Sequence, residues 1–251
     1  MRRVLLTRSN ADNARLAAQL QARGIASHSL PLLDLQPLTE TPQQRSLMLD
    51  LDRYHAVMVV SPTAARLGLL RLDRYWPQPP IGQHWFAVGA GTAAPLADYG
   101  LPVVYPQQGQ DSESLLALPI WAELLQQDGL RVMIWRGEGG REHLANQVRA
   151  AGGQVDYLEL YRRQPGPDLT SGLMAAEAAG VSDILLLSSQ ALQFWQQAAA
   201  ERWPHQAGWR CWVPGERVAA LARAAGCKDV RVCAGADDAA LLAAISTDYM
   251  S

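Results

Sequence analysis

The sequence predicts an α/β fold with parallel sheets flanked by helices. Three observations support this: short apolar runs alternate with longer amphipathic stretches, each apolar run ends in small or polar turn residues, and the pattern occurs twice along the chain. Alternating βα units place helices on the faces of a parallel sheet through right-handed crossovers. A chain of 251 residues, 49% of them hydrophobic, is long enough for one large domain or two small ones.

The βα units can be placed individually along the chain. In each, a short apolar run reads as a buried strand, and the stretch after it has the 3.6-residue period of a helix. The predicted strands and helices are Val4–Leu6 with Asn10–Arg23, Ala56–Val60 with Pro62–Leu72, Trp85–Val88 with Thr92–Tyr99, Val132–Trp135 with Arg141–Ala151, Ile184–Leu187 with Ala191–Ala200, and Cys211–Val213 with Arg217–Ala225. A further helix is predicted over Ser112–Gln127, with Asp111 as its N-cap.

The two halves of the chain resemble each other. Val4–Leu35 aligns with Val132–Arg163 at a constant offset of 128 residues, which places Arg8 on Arg136. Shorter matches follow, because VMVVSPTAA resembles ILLLSSQAL and VGAGTAAPLA resembles VPGERVAALA. The chain therefore reads as two copies of one α/β half.

Two connecting segments, Pro31–Pro42 and Leu160–Asp168, occupy equivalent places in the two copies. Both contain prolines between βα units, which is typical of a chain that crosses from one domain to another. A long surface loop would have the same composition, so both interpretations stay open.

Charge and hydropathy exclude several classes of partner. The 22 basic and 24 acidic side chains are interspersed, so no basic patch for nucleic acid or anionic lipid is expected. No apolar run reaches the length of a membrane span, and Met1-Arg2-Arg3 leads directly into a strand pattern, which is not typical of a signal peptide. The sequence predicts a cytoplasmic chain.

The cysteines and histidines do not suggest a metal centre. Cys211, Cys227 and Cys233 have neither disulfide-framework nor CxxC spacing, and the five histidines lack HxxxH and HxH patterns. We expect the cysteines to be reduced core thiols and the protein to hold no metal.

Small, hydroxylated and glycine residues follow the predicted strands, where ligands bind in open α/β sheets. Backbone N–H groups at helix starts can bind carboxylates or phosphates there, although each turn can also be an ordinary helix cap. Several such turns on two sheet edges predict a polyanionic ligand. The predicted binding residues are Arg8, Ser61, Thr63, Thr92, Ser112, Arg136, Gly137, Ser188, Ser189 and Gly215.

One of these turns, Gly89–Ala94, has the GxGxxA spacing of a dinucleotide-binding fingerprint. The expected acidic residue about twenty positions further on does not end a predicted strand, and the equivalent turn after Val213 has lost the pattern. A nucleotide site therefore stays an alternative that a single turn supports.

The acid/base candidate is Tyr161, which lies at the junction of the copies beside Arg162 and Arg163. A neutral phenol can donate a proton to a departing oxygen, and it can equally be a packed strand residue. The sequence contains no GxSxG elbow and no P-loop that would offer another mechanism.

The ordered series of motifs resembles the uroporphyrinogen-III synthase family over essentially the full length. The segments that carry the resemblance are VLLTRSNADNARLAAQLQARG, VVSPTAAR, FAVGAGTAAPL, YPQQGQDSESLL, VMIWRGEGGREHLANQVRAAGGQVDYLELYRR and LLLSSQAL. The resemblance implies an enzyme without a cofactor that cyclises hydroxymethylbilane to uroporphyrinogen III, with loss of water and inversion of ring D.

The resemblance also implies the architecture. It implies two flavodoxin-like domains joined by a two-stranded linker with a deep cleft between them. One domain would contain residues 1–36 and 166–251 and the other residues 37–165, with linker strands near 31–42 and 160–168. A plain tandem arrangement, divided near residue 126, is the competing architecture.

Within the family mechanism, Tyr161 is the expected general acid, and Glu216 is unexpected where relatives often have hydroxyl residues. The implied partners are the substrate and transient contact with hydroxymethylbilane synthase, and we expect a monomer. The alternative from another class is a non-catalytic two-lobed α/β binding module for a small anionic ligand.

Overall fold

The computed structural model of the protein describes residues 2–107 and 112–250, apart from the side chains of Ser112 and Met250. Helices and strands alternate through this part of the chain. In chain order they are β1 (Arg3–Leu6), α1 (Asn10–Gln21), β2 (Ala26–Ser29), β3 (Leu33–Pro37), α2 (Pro42–Leu49), β4 (Ala56–Val59), α3 (Pro62–Tyr75), β5 (His84–Ala87), α4 (Ala90–Asp98), β6 (Val103–Val104), α5 (Ser112–Leu116), α6 (Pro119–Leu124), β7 (Arg131–Gly137), α7 (His143–Ala150), β8 (Gln154–Pro165), α8 (Leu169–Ala178), β9 (Asp183–Leu185), α9 (Ser189–Ala199), α10 (Trp203–Gln206), β10 (Arg210–Val213), α11 (Glu216–Ala224), β11 (Asp229–Val232) and α12 (Asp238–Met250).

The predicted α/β class is confirmed, and a strand followed by a helix lies at each of the paired positions expected from the sequence. The single helix predicted over Ser112–Gln127 is wrong, because α5 ends before Pro119 and α6 begins there. Leu118 has extended backbone angles, which the proline ring imposes on the residue before it. Asp111, the expected N-cap, lies outside the described residues.

The chain divides into two compact units. One contains residues 1–34 and 164–251, and the other contains residues 35–163. Residue 126 lies within the second unit. Each unit has its own sheet.

The two sheets share one strand order. In the first unit the order is β11-β10-β9-β1-β2, which read from the β2 edge is the 2-1-3-4-5 order of flavodoxin-like folds. In the second unit the order is β3-β8-β7-β4-β5-β6. When β7 and β8 are taken as its first two strands, this is the same order with β3 added at one edge.

This order explains the internal repeat. The first copy contributes β1 and β2 to one sheet and β4, β5 and β6 to the other, and the second copy contributes β7 and β8 to one sheet and β9, β10 and β11 to the other. Both units therefore contain strands from both copies. Apart from β3, and within the described residues, each sheet combines two strands from one copy with three from the other.

Each sheet buries apolar residues on both faces, as expected for parallel strands between helix layers. In the second unit, Val57 and Val59 of β4 belong to one core cluster, and Ala56 and Met58 belong to the cluster on the other face. Along β1, Leu5 belongs to one cluster of the first unit, whereas its neighbours belong to the other. The period-2 alternation of a strand thus assigns each apolar side chain to one of two helix layers.

The two connecting segments pair with each other as strands β3 and β8. The amide of Gly166 donates to the carbonyl of Leu32, and the amide of Leu38 donates to the carbonyl of Leu160. The residue numbers rise in one strand as they fall in the other, so these two strands are antiparallel.

The three cysteines are buried and free, as expected for core thiols. No helix in the described ranges is both long and apolar enough to span a bilayer.

Candidate functional site

A cavity of about 440 Å³ lies at the carboxyl edge of the second unit's sheet. Strands β8, β7, β4 and β5 are neighbours there, and the residues that follow β4, β5 and β7 line the opening. The lining combines aliphatic side chains and three glycines with three arginines, Arg136, Arg141 and Arg163. This edge can therefore bind an anion that also has apolar surface.

The three arginines differ in their partners. Arg136 is in ion pairs with Glu142 at 2.7 Å and Glu159 at 3.1 Å, and its side chain is 11% exposed. Among the residues that the structure describes, the ion pair of Arg141 is a long, exposed contact of 3.9 Å to Glu113. Arg163 has no carboxylate partner within the described residues, so it and Arg141 present the less neutralised charge.

Arg136 and Gly137 do not lie in a turn as predicted. Strand β7 continues through both residues, and Arg136 pairs with Glu159 of β8. The guanidinium of Arg136 lies 3.6 Å from the centre of the Tyr157 ring, whose hydroxyl donates to Glu142. Hydrogen bonds from Tyr157 and then Arg136 lower the pKa of Glu142 to about 2.

Tyr161 is oriented by a bulge in β8. Arg136 pairs with Glu159 but Gly137 pairs with Tyr161, so Leu160 is the extra residue. Strand alternation would place Leu160 and Tyr161 on opposite faces, yet both are buried in the same core cluster. The bulge thus turns Tyr161 to the face of the sheet that it would otherwise leave.

The Tyr161 ring packs against the backbone of Gly137. A Cβ atom on Gly137 would lie 2.7 Å from Cε2 and Cζ of the ring, which is too close for any other residue without movement of the ring. Gly137 therefore leaves the space that the tyrosine ring occupies. Gly137 and Arg163 line the cavity, whereas Tyr161 and Ser61 are not among its lining residues.

The Tyr161 hydroxyl has two polar neighbours. It lies 3.0 Å from Oγ of Ser61, and Nη2 of Arg163 donates to it at 3.3 Å. The whole residue is only 2% exposed. A serine, a buried tyrosine and an arginine thus form a connected polar group, here called the hydroxyl cluster (Ser61, Tyr161 and Arg163).

The remaining predicted residues of this unit lie at helix starts. Ser61 caps α3, accepting from the amide of Ala64 at 3.0 Å, and Thr63 lies in the first turn of that helix. Thr92 lies in the first turn of α4 and is 4% exposed, within the core. Ser112 begins α5, and its side chain lies outside what the structure describes.

In the first unit, the other predicted residues also lie along one edge. Arg8 follows β1, Ser188 and Ser189 follow β9, and Gly215 follows β10, and these three strands are neighbours. Ser188 caps α9, accepting from the amide of Ala191 at 3.1 Å.

Arg8, like its repeat equivalent Arg136, is paired with a carboxylate. Its guanidinium donates to Asp238, which also accepts from Arg15. The hydrogen bond from Arg15, followed by that from Arg8, holds the pKa of Asp238 below its usual range. The Nε of Arg8 is buried without a hydrogen-bond partner in the described chain.

Glu216 lies at the surface and is paired within its own helix. It is the first residue of α11, its side chain is 70% exposed, and it forms an ion pair with Arg223 of the same helix at 2.5 Å.

The Gly89 turn lacks the packing that gives the dinucleotide fingerprint its meaning. The third small residue of the fingerprint, Ala94, is exposed and does not pack against the strand. In a dinucleotide site that third position allows close helix–strand contact. This geometry does not favour a nucleotide.

Several functional neighbours could not be recognised from the sequence. Glu142, Glu159 and Asp238 neutralise the two matched arginines, and Asp238 lies 230 positions from Arg8. The contact between Ser61 and Tyr161 spans 100 positions. Of the contacts in the hydroxyl cluster, the one between Tyr161 and Arg163 joins residues two positions apart, so the sequence itself places them together.

Comparisons with known proteins agree on one family. The family model described as uroporphyrinogen-III synthase HemD matches residues 14–243. The chain is 32% identical over 248 residues to the uroporphyrinogen-III synthase of Salmonella typhimurium and 33% identical over 251 residues to that of Escherichia coli. Each alignment covers 96% of this chain and 99% of the relative.

Solved structures show the same fold. A mutant uroporphyrinogen III synthase from Thermus thermophilus matches with a TM-score of 0.66 at 17% identity, over 100% of this chain and 98% of the other. The uroporphyrinogen-III synthetase of Helicobacter pylori matches with a TM-score of 0.59 at 15% identity, over 99% of this chain and 100% of the other.

Proposed function

This chain belongs to the uroporphyrinogen-III synthase family, and we propose on that premise that it converts hydroxymethylbilane into uroporphyrinogen III with loss of water. The observation that carries the proposal is the similarity to two bacterial synthases over nearly the whole of each chain. The family acts in tetrapyrrole and heme biosynthesis. The reaction eliminates water and closes a ring, so we class the enzyme as a lyase.

The proposed reaction has two demanding steps. The hydroxyl of the hydroxymethyl group on ring A leaves as water, and its CH₂ carbon stays on the ring as the electrophilic carbon of an azafulvene. Ring D then attacks through its substituted carbon, and the resulting spiro-pyrrolenine fragments and recloses with ring D inverted. The protein must assist departure of the oxygen and hold the chain so that the substituted carbon attacks.

Tyr161 is the proposed general acid of the first step, as the residue whose proton that step consumes. The bulge in β8, the space that Gly137 leaves and the hydrogen bond with Ser61 together hold the Tyr161 side chain in one orientation, which supports this role. General acid catalysis contributes typically about 10²–10⁴-fold, so orientation of the substrate must supply much of the remaining acceleration.

The substrate carries many carboxylates, which fits a protein with basic and amide-lined edges. In the second unit, Arg141 and Arg163 line the cavity without close carboxylate partners in the described chain. In the first unit, Arg8 follows β1 at the same edge as the turns after β9 and β10. We propose as substrate-binding residues Arg8, Ser61, Thr63, Thr92, Ser112, Arg136, Gly137, Ser188, Ser189 and Gly215. Most of them would act through backbone amides.

The decisive test is the isomer of the product. Hydroxymethylbilane is generated in situ, the protein is added, and the oxidised uroporphyrins are separated by chromatography. Without an enzyme the bilane closes to isomer I, so predominant isomer III supports the proposal. Isomer I alone, from protein shown to be folded, would contradict it.

A two-lobed binding module for a small anion remains the second candidate. The two α/β units and their basic edges are compatible with it. It predicts thermal stabilisation by porphyrinogen carboxylates without any change in the isomer formed.

The setting of the reaction is also a proposal. Its support is the interspersed charge and the identity of the family. We propose a cytoplasmic monomer that receives its unstable substrate through transient contact with hydroxymethylbilane synthase. Light scattering of the purified protein tests the monomer directly.

A further inference from the structure

We propose that Ser61 is the group that hands the proton to the departing oxygen, and that Tyr161 acts behind it as the source of that proton. This inference rests on the proposed function and assigns an order to the hydroxyl cluster. Tyr161 is then a positioning residue that works through Ser61 and does not touch the substrate.

The direction of the hydrogen bonds follows from counting donors and acceptors. Arg163 has only donors, so it donates to the phenolic oxygen of Tyr161. The phenol must place its own proton on an acceptor, because a buried hydroxyl without one is costly. In the described chain, the acceptor in reach is Oγ of Ser61 at 3.0 Å.

The same count of donors and acceptors leaves the hydroxyl hydrogen of Ser61 available to a ligand. Its Oγ accepts from the amide of Ala64 at 3.0 Å and from the phenol of Tyr161, which uses both acceptor positions. No acceptor for its own O–H is present within the described residues. Ser61 is partly exposed whereas Tyr161 is 2% exposed, so a ligand meets the serine first.

The proton transfer balances without another reactant. As the C–O bond of ring A breaks, the Ser61 proton passes to the leaving oxygen and the Tyr161 proton passes to Oγ of Ser61. The product is water, and the phenolate left behind lies beside the Arg163 guanidinium. The proton then lost from the ring A nitrogen, as the azafulvene forms, returns to the phenolate through Ser61.

A double-mutant cycle tests this order, with the initial rate of isomer III formation as the readout. The variants are Ser61→Gly, Tyr161→Phe and the two combined. Glycine removes the hydroxyl yet remains acceptable at the helix N-cap. If Tyr161 acts through Ser61, we expect each single change to slow the reaction at least about tenfold. The double variant should then match Ser61→Gly within about twofold.

The opposite result is well defined. If Tyr161 reaches the substrate itself, the two single losses multiply in the double variant, and that overturns the inference. Restoration of the rate by Ser61→Thr, which keeps a hydroxyl and the cap, supports it; a Thr variant as slow as the Gly variant contradicts it.

Two control variants separate chemistry from folding. Thr41→Ala removes another N-cap of the same unit, and Tyr54→Phe removes another buried tyrosine hydroxyl, bonded to Asp156. Both should keep the wild-type rate. Wild-type protein that yields only isomer I would refute the proposed function itself, whereas multiplying effects in a protein that yields isomer III refute the inference alone.

Discussion

The hydroxyl of Tyr161 lies 3.0 Å from Oγ of Ser61, although the two residues are 100 positions apart. The serine caps a helix that follows β4, and the tyrosine lies on a bulge of β8, two strands away in the sheet. The contact connects the residue that the sequence marks as an acid with a helix cap at the carboxyl edge.

Replacing Tyr161 by phenylalanine should lower the rate of isomer III formation at least about tenfold with the fold intact. The ring stays in the core, and only the hydroxyl bonded to Ser61 is lost. Because the uncatalysed closure continues, the proportion of isomer I should rise. Full activity in this variant would remove Tyr161 from the mechanism.

Gly137→Ala should reduce activity by displacing the Tyr161 ring. The new Cβ would lie 2.7 Å from two ring atoms, and a misplacement of about 1 Å among the residues that orient the reaction can cost about 10²-fold. Rates are measured in the wild type and in Tyr161→Phe. The loss should be smaller in the phenylalanine background; an equal loss in both would indicate that Gly137 acts independently of the tyrosine.

Glu142→Gln should destabilise the protein at neutral pH and much less in acid. The pKa of Glu142 is lowered to about 2 in the folded protein from an ordinary value of 4.5, so its ionised form stabilises the fold above that ordinary value. This stabilisation declines as the pH falls from about 4.5 towards about 2. Urea unfolding of both proteins at pH 7 and pH 3 measures it.

The matched control for that measurement is Glu123→Gln, since Glu123 is exposed and has no ion pair in the described chain. The free energy of unfolding of this variant should differ from that of the wild type by the same amount at pH 7 and at pH 3. A constant difference for Glu142→Gln as well would show that the hydrogen bond from Tyr157 and the ion pairs with Arg136 and Arg149 contribute nothing measurable to stability.

Gly68→Ala should lower the free energy of unfolding by roughly 1–3 kcal/mol, the usual cost of overpacking a core. Gly68 lies in α3, and a Cβ there would come within 2.1 Å of the buried Trp135 ring. Gly91→Ala, in a helix but facing open space, is the control and should be neutral or stabilising. Equal unfolding midpoints for the two variants would contradict the tight packing.

Local patterns in the sequence determined the element order and the family. An apolar run followed by a capped amphipathic stretch is read from neighbouring residues, so the strands and helices around Ser61, Gly89 and Ser188 lie where the pattern places them. The helix predicted over Ser112–Gln127 was wrong because a local proline at 119 outweighs the periodicity.

Tertiary structure decided how the two copies share the sheets and which charges meet. The repeat was visible in the sequence, but strand order depends on packing of both faces, and each sheet takes strands from both copies. Arg8 and Arg136 matched in the alignment, yet the carboxylates that neutralise them come from other elements. Tyr161 reaches Ser61 because a bulge shifts the register by one residue, and a period-2 pattern carries no information about a bulge.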